Sequence, residues 1–323
     1  MATRKMTKEE VITTVEKHEM WLTGDKKGER ADFTDVIFPS DMTMENRNLR
    51  AAIFTNAELY DVTFRECNLR HADFAKTYMS NVKFAECMMM KSDFQEAYLD
   101  GAMLVKTRMH YSDFHDARLE SVYFEDVFLD DSNFAKSYVR NADMLNSKFG
   151  GCDFTKAEIW SSSIVYSCFV ESILDDAIIY NSKIHYSSFA NWTSLNRVQI
   201  SDSIISNSEF WNSSFSDARF ENCTIKYSEF TAAYLKNAKF CDCVVLSVDF
   251  TEAVLANSSS PETTFIDACF QCANLENADL DFSVFLETCF DEAYMGNSHE
   301  IESMSELPHP RKGMWLLLNG SPD

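Results

Sequence analysis

The chain has 323 residues, with 29 Lys and Arg against 51 Asp and Glu, for a formal net charge of −22. So acidic a surface disfavours direct binding to nucleic acid or to anionic membrane, and leaves proteins as partners, above all proteins with a basic or DNA-binding surface. No run of about 18 apolar residues occurs and the first 30 residues lack a signal-peptide core, so a soluble, cytoplasmic chain with no membrane association is expected.

Residues 1–30 read as an N-terminal helix and cap. Thr7-Lys8-Glu9-Glu10 is a capping box, with a Thr at the cap position and a Glu three residues on, and it predicts a helix running to about Leu22. Val11, Val15 and Leu22 share one face of that helix, and His18 and Trp21 are expected to pack.

Residues 31–295 carry a different period. From Met44 to Phe189 a bulky apolar residue stands at every fifth position, as in Phe54, Leu59, Phe64 and Leu69. The beat resumes at Leu195 and continues to Met295, with Ser260 as its one polar member. With the bulky position written i, residue i−2 is Ala, Ser, Thr, Cys or Val from Ala52 to Ala293. Neither a helix nor a two-residue alternation gives this pattern; a short fixed repeat signals a stacked, quasi-one-dimensional architecture. Phe54, Phe74, Phe94, Phe114, Phe134 and Phe154 fall twenty residues apart, so four pentapeptides close one turn and Phe columns alternate with columns of Leu, Ile and Met. About 12–13 coils at roughly 4.8 Å each make a rod of about 60 Å.

Two single-residue insertions interrupt the beat, near 39–41 and at 190–194. Pro261 cannot donate to a ladder, so a corner or local bulge is expected in Ser258-Ser259-Ser260-Pro261. Residues 296–323 leave the repeat. Their apolar run Met314-Trp315-Leu316-Leu317-Leu318 is too short for a membrane span and is a candidate cap on the last coil or a contact for a homodimer.

The search for chemistry returns little. Cys67, Cys87, Cys152, Cys223 and Cys243 occupy i−2, where Ala and Ser are the alternatives, and read as small core residues; Cys241 and Cys243 are too close in sequence for an ordinary zinc pair. His110 and His115, both at i+1, read as solvated, and the Asn-X-Ser/Thr sequons at Asn191, Asn212 and Asn222 as products of an Asn- and Ser-rich repeat. No catalytic residue, metal ligand or cofactor site is expected, and the chain is not read as an enzyme. Two surface features stand out. Trp160, Tyr166, Tyr180, Tyr186, Trp192 and Trp211 make a charge-poor, aromatic middle suited to partner contact. Between Phe240 and Met295 there is no Lys, Arg or His, while Asp242, Asp249, Glu252, Asp267, Glu276, Asp279, Asp281, Glu287, Asp291 and Glu292 form a candidate acidic face.

The segments Ala72-Asp73-Phe74, Cys152-Asp153-Phe154, Ala273-Asn274-Leu275 and Ala278-Asp279-Leu280 resemble the A(D/N)LxX motif of pentapeptide repeat proteins. That resemblance implies an all-β solenoid, a right-handed quadrilateral β-helix in which i and i−2 point inward and the other three positions face solvent. Glu16 to Leu22 with Gly28 to Phe33 is similar to an N-terminal cap of the family. The implied function is a non-enzymatic interaction rod, a scaffold or adaptor. A more specific alternative implied by the family is a DNA mimic that inhibits or protects a type II topoisomerase. Duplex DNA carries one charge per about 1.7 Å, roughly twice the net density of these coils.

Overall fold

The computed structural model describes residues 4–296. Four parallel ladders run the length of the rod, one on each face. Face A consists of strands from Glu58–Tyr60 to Lys239–Cys241, and face B of strands from Thr43–Glu45 to Val284–Leu286. Faces C and D are joined by single-residue bridges, Asn48 to Asn68 to Met88 on C and Ile53 to Asp73 to Asp93 on D. Each residue pairs with the one twenty positions on, except across the two insertions, where Ile37 pairs with Glu58 and Ile179 with Ile200, twenty-one positions on. This is the four-sided parallel solenoid expected from the repeat.

The five-residue unit folds the same way throughout. Residues i and i−2 are buried, as at Ala72 and Phe74 or Ala117 and Leu119. Residue i+2 takes a positive φ, whether it is Asn56 at 57°, Lys76 at 59° or Tyr166 at 52°. On faces C and D the corner closes with a hydrogen bond from the next i−2 amide to the carbonyl of i, 2.9 Å for Ala57 to Phe54. A hydrogen-bonded turn with positive φ at its third residue is what a type II turn requires, and Asn, Asp and Gly tolerate that conformation best. Position i+2 is therefore more than solvent-facing: its φ turns the corner. Gly101 and Gly151 occupy it with φ of 65° and 66°. The Asp or Asn at i−1 has a structural role too, since its side-chain oxygen accepts the amide of i+1, 2.9 Å for Ala75 to Asp73 and 2.8 Å for Thr155 to Asp153. This is the Asx turn that makes those residues favoured at such positions.

Inside, rings stack coil on coil. On face D, Phe114 lies 4.6 Å from Phe134 and Phe134 4.7 Å from Phe154, with planes 4° and 5° apart. The aromatic column then changes sides: Phe149 meets Phe154 at 5.8 Å and 61°, and the stack continues on face C through Phe169, Phe189 and Phe210. Leu174 and Leu195 take over on D. Most buried hydroxyls at i−2 are paired, Ser167 Oγ accepting from the amide of Ser147 at 3.2 Å and donating to the carbonyl of Met144 at 3.0 Å, while those of Thr107 and Ser137 have no partner. Such pairing offsets the cost of burying them.

The ends differ. Helix α1 (Lys8–Leu22) begins at the expected capping box, with the Glu10 amide on Thr7 Oγ1 and the Thr7 amide on Glu10 Oε2 at 2.8 Å. It buries Val11, Val15 and His18 over the first coil, while Leu22 is half-buried and Trp21 is 40% exposed. Before the helix, strand β1 (Arg4–Lys5) extends face A by pairing with strand β2 (Val36–Ile37), an element the sequence did not announce. Gly28 is needed where the chain returns beneath the helix, because a Cβ there would lie 2.0 Å from the Trp21 nitrogen. At the other end face A has no strand after Lys239–Cys241 among the described residues; Pro261 stands within a corner closed by the Thr263 amide on the Ser260 carbonyl, and single-residue bridges from Lys239 to Ser259 and from Ser259 to Asp279 continue the ladder. Leu280, Phe285, Phe290, Ala293 and Met295 pack against the core without being enclosed.

Candidate interaction surfaces

The six aromatic residues singled out above divide among three edges of the rod. Trp160 and Tyr180 lie on the corner between faces A and B, in register across adjacent strands and with ring centres 5.2 Å apart. Tyr166 and Tyr186 lie on the opposite edge of face B, stacked at 5.1 Å and 9°. Face B between these rows presents Ser163, Val165, Lys183 and His185. Trp192 and Trp211 stand on the edge between C and D, diagonally across from Trp160, so they are not part of the same surface. Trp192 is itself the product of the insertion: Asn191 and Trp192 are consecutive positive-φ residues, at 53° and 67°, and the indole is 80% exposed.

Two details of face B bear on its chemistry. The indole nitrogen of Trp160 is buried and has no hydrogen-bond partner. His185 Nδ1 is hydrogen-bonded to Ser206 Oγ, and its ring packs edge-on to Tyr186 at 4.6 Å. Burial, with Lys226 and Lys183 nearby, holds the His185 pKa below its ordinary value.

A further aromatic row was not singled out from the sequence. On face A, Tyr78 stacks on Tyr98 at 4.8 Å, and the Arg118 guanidinium sits over both Tyr98 and Tyr138, at 5.8 and 5.7 Å. The signal is a twenty-residue spacing at i−1, hidden because Arg118 interrupts the aromatics.

The acidic residues after Phe240 do not share one face. Asp242 and Asp281 lie on the A–B corner, Asp267 and Glu287 on B–C, Glu252, Asp291 and Glu292 on C–D, and Glu276 on D–A. Asp249 and Asp279 sit at i−1 and clip turns, accepting the amides of Thr251 at 2.8 Å and Asp281 at 3.1 Å. The candidate acidic face is thus an acidic segment of rod, charged on every edge. Met314, Trp315, Leu316, Leu317 and Leu318 lie outside the described residues.

Nothing in the described residues assembles a reacting group. His110 pairs with Asp130 at 3.1 Å and His115 with Asp116 at 3.0 Å, each on its own edge. No group of three or more His, Cys, Asp or Glu is placed to hold a metal among the described residues. The ten cysteines are unpaired, and burial pushes the Cys152 thiol well up. No helix among the described residues is long and apolar enough to cross a membrane.

A parallel solenoid of repeated five-residue coils with a helical N-terminal cap defines the class: a repeat scaffold. A model described as pentapeptide repeat region matches residues 61–134, and one described as pentapeptide repeats (8 copies) matches 117–156 and 262–297. The chain therefore carries pentapeptide repeats. Among solved structures it is similar to a trypsin-treated form of QnrB1, a plasmid-mediated fluoroquinolone resistance protein, at 14% identity over 54% of this chain and 81% of that one, TM-score 0.35. It is similar also to HetL, a pentapeptide repeat protein involved in heterocyst differentiation regulation from Nostoc sp. strain PCC 7120, at 15% identity over 91% and 99%, TM-score 0.25. A third similar structure, the catalytic unit of an α-1,3-glucanase from Streptomyces thermodiastaticus, has 10% identity over 80% and 62%, TM-score 0.30. No curated protein sequence matches the chain. Pentapeptide repeat proteins are in general non-enzymatic, although enzymes such as the glucanase also use a β-helix.

Proposed function

We propose that the rod is a cytoplasmic, non-enzymatic adaptor that binds a partner protein across face B, between the Trp160–Tyr180 and Tyr166–Tyr186 rows. The observation that carries this reading is the pair of aromatic rows, one tilted and one stacked, flanking a strip with little charge. Tyr166 and Tyr186 are 58% and 48% exposed, a large apolar area for side chains with polar tips to leave in water. Aromatic side chains on a rigid sheet lose little entropy on binding and are the usual anchors of protein interfaces. The reducing cytoplasm suits ten free thiols. Affinity capture with the tagged rod tests the proposal: Trp160→Ala with Tyr180→Ala should abolish recovery of the partner, and recovery equal to that of the wild type removes face B from consideration.

A second reading, modulation of a type II topoisomerase by DNA mimicry, is favoured by one observation. The coils after Phe240 carry acids on every edge and no basic residue, as a duplex presents charge on all sides. A supercoiling assay separates the two. Micromolar rod that changes neither gyrase activity nor its drug sensitivity rules mimicry out, whereas inhibition or protection that survives the face B substitutions rules it in.

A further inference from the structure

The last described coil is built to be covered. Leu280, Phe285, Phe290 and Met295 are only partly buried, while Phe265, Phe270 and Leu275 in the preceding coil are 3%, 2% and 1% exposed. Phe282 beside them is 84% exposed. The backbone edge of the same coil has no next coil to pair with among the described residues, and an apolar end with an open ladder is an aggregation site unless something lies on it. The opposite end meets the same requirement with α1. We propose that residues 311–318 fold back onto this end of their own molecule, with Met314–Leu318 covering the apolar coil and Arg311 and Lys312 against its acidic rim.

Charge complementarity points to this segment. After Lys239 the coils carry no basic residue, and the first Arg and Lys to follow, Arg311 and Lys312, come directly before the one strongly apolar run of the tail. The rim they would meet carries Asp281, Glu287, Asp291 and Glu292. The intervening stretch 297–310 is long enough, since an extended residue spans up to about 3.3 Å. Tethering also favours the same molecule over a second copy, because a short covalent tether gives an effective concentration of about millimolar.

The experiment uses the full chain and a zero-length carbodiimide, which joins Lys312 only to a carboxylate it touches. The expected result is a crosslink from Lys312 to Glu287, Asp291 or Glu292 in the monomer band, together with a monomeric mass in light scattering across the concentration range. Leu316→Asp with Leu317→Asp should then speed amide exchange at Cys289 and Tyr294 by about tenfold or more and raise binding of an apolar dye. Arg311→Glu with Lys312→Glu, which leaves the apolar run intact, should shift exchange in the same direction by less, and added salt should reproduce that shift in the wild type. Crosslinks confined to a dimer band overturn the proposal in favour of a second copy. Unchanged exchange in both variants, with no crosslink, overturns it altogether.

Discussion

The two ends of this rod solve one problem in different ways. At the N-terminus a helix with its own capping box lies over the first coil, β1 adds to the edge of face A, and the Glu19 carboxylate bonds Arg47 at 2.8 Å and the Asn48 amide at 3.0 Å. Phe33 beneath it is as fully buried as any ring of the middle coils. At the C-terminus the described coils thin out, face A has already lost its strands, and the apolar column reaches the surface. In a solenoid each coil is held only by its neighbours, so such a difference at the ends sets where unfolding begins.

The largest expected effect measures how good the N-terminal closure is. Phe134→Ala removes a ring held between two others and should cost about 3–5 kcal/mol in denaturant unfolding. Phe33→Ala should cost about the same, because the cap makes the first coil equivalent to an internal one. A much smaller loss at Phe33 would show that the first coil frays in spite of its helix. Hydrogen exchange completes the comparison, with the amides of Phe33 and Phe134 expected to outlast those of Cys289 and Tyr294.

A smaller effect probes the inner wall. Ala142 and Ala238 are 1% and 0% exposed at i−2, and Leu at either should overpack and destabilise by about 1–3 kcal/mol. Ala293, in the same position of the repeat but half-buried at the open end, should accept Leu with less loss. Equal losses at all three would mean that the last coil is as confined as the rest.

Much of this architecture is legible in the chain because a five-residue beat has few physical solutions. Phe74 with Ala72 states its own burial, and Thr7 with Glu10 states the helix start. What the beat hides is what depends on neighbouring coils. Trp160 and Trp211 read as one aromatic middle in the sequence, yet a coil of four sides sends them to opposite corners. The inserted residue next to Trp192 adds a positive φ that no composition reports. Asp249 and Asp279 count as surface charge until their turns are seen to use them. The Tyr78–Tyr98–Arg118–Tyr138 row escapes a search for aromatics because a guanidinium completes it.

A third test removes only the helix start. Thr7→Ala abolishes one half of the capping box and leaves Glu10 without the geometry of the other, which should cost about 1 kcal/mol. Helical circular dichroism reports it specifically, since α1 is the one α-helix among the described residues. Loss of helix with the β-signal unchanged would show that the cap unfolds as a separate unit, whereas joint loss would show that the first coils depend on it.

The smallest effect is on pH, and it comes from His18. Its ring is fully buried, with Nδ1 accepting the Ala31 amide at 3.0 Å, which leaves Nε2 to donate to the Arg50 carbonyl at 3.1 Å. A second proton has no place on Nδ1 without breaking the bond to Ala31. Burial is the main cause that lowers the pKa, and Arg30 adds to it, while the Arg50 carbonyl and Glu19 act in the opposite direction. In the unfolded chain the imidazole takes its proton near pH 6.5, but in the folded chain it resists to a lower pH. The stabilisation is therefore complete above about pH 6.5 and is lost as the pH falls from there through the folded pKa, at no more than about 1.4 kcal/mol per unit for one proton. Glu9 and Glu10 also have lowered pKa values, but their contribution fades only below the ordinary carboxylate range. Thermal unfolding followed by the helical signal at pH 7.5 and about 5.5 should show the cap weakening in the wild type, with His18→Gln showing a flatter dependence. His185, whose pKa is also depressed, lies far from α1, and His185→Ala should leave the helical signal's pH dependence as it is. If His185→Ala flattens that dependence and His18→Gln does not, the pH sensitivity belongs to the middle of the rod, and the N-terminal closure is indifferent to protons.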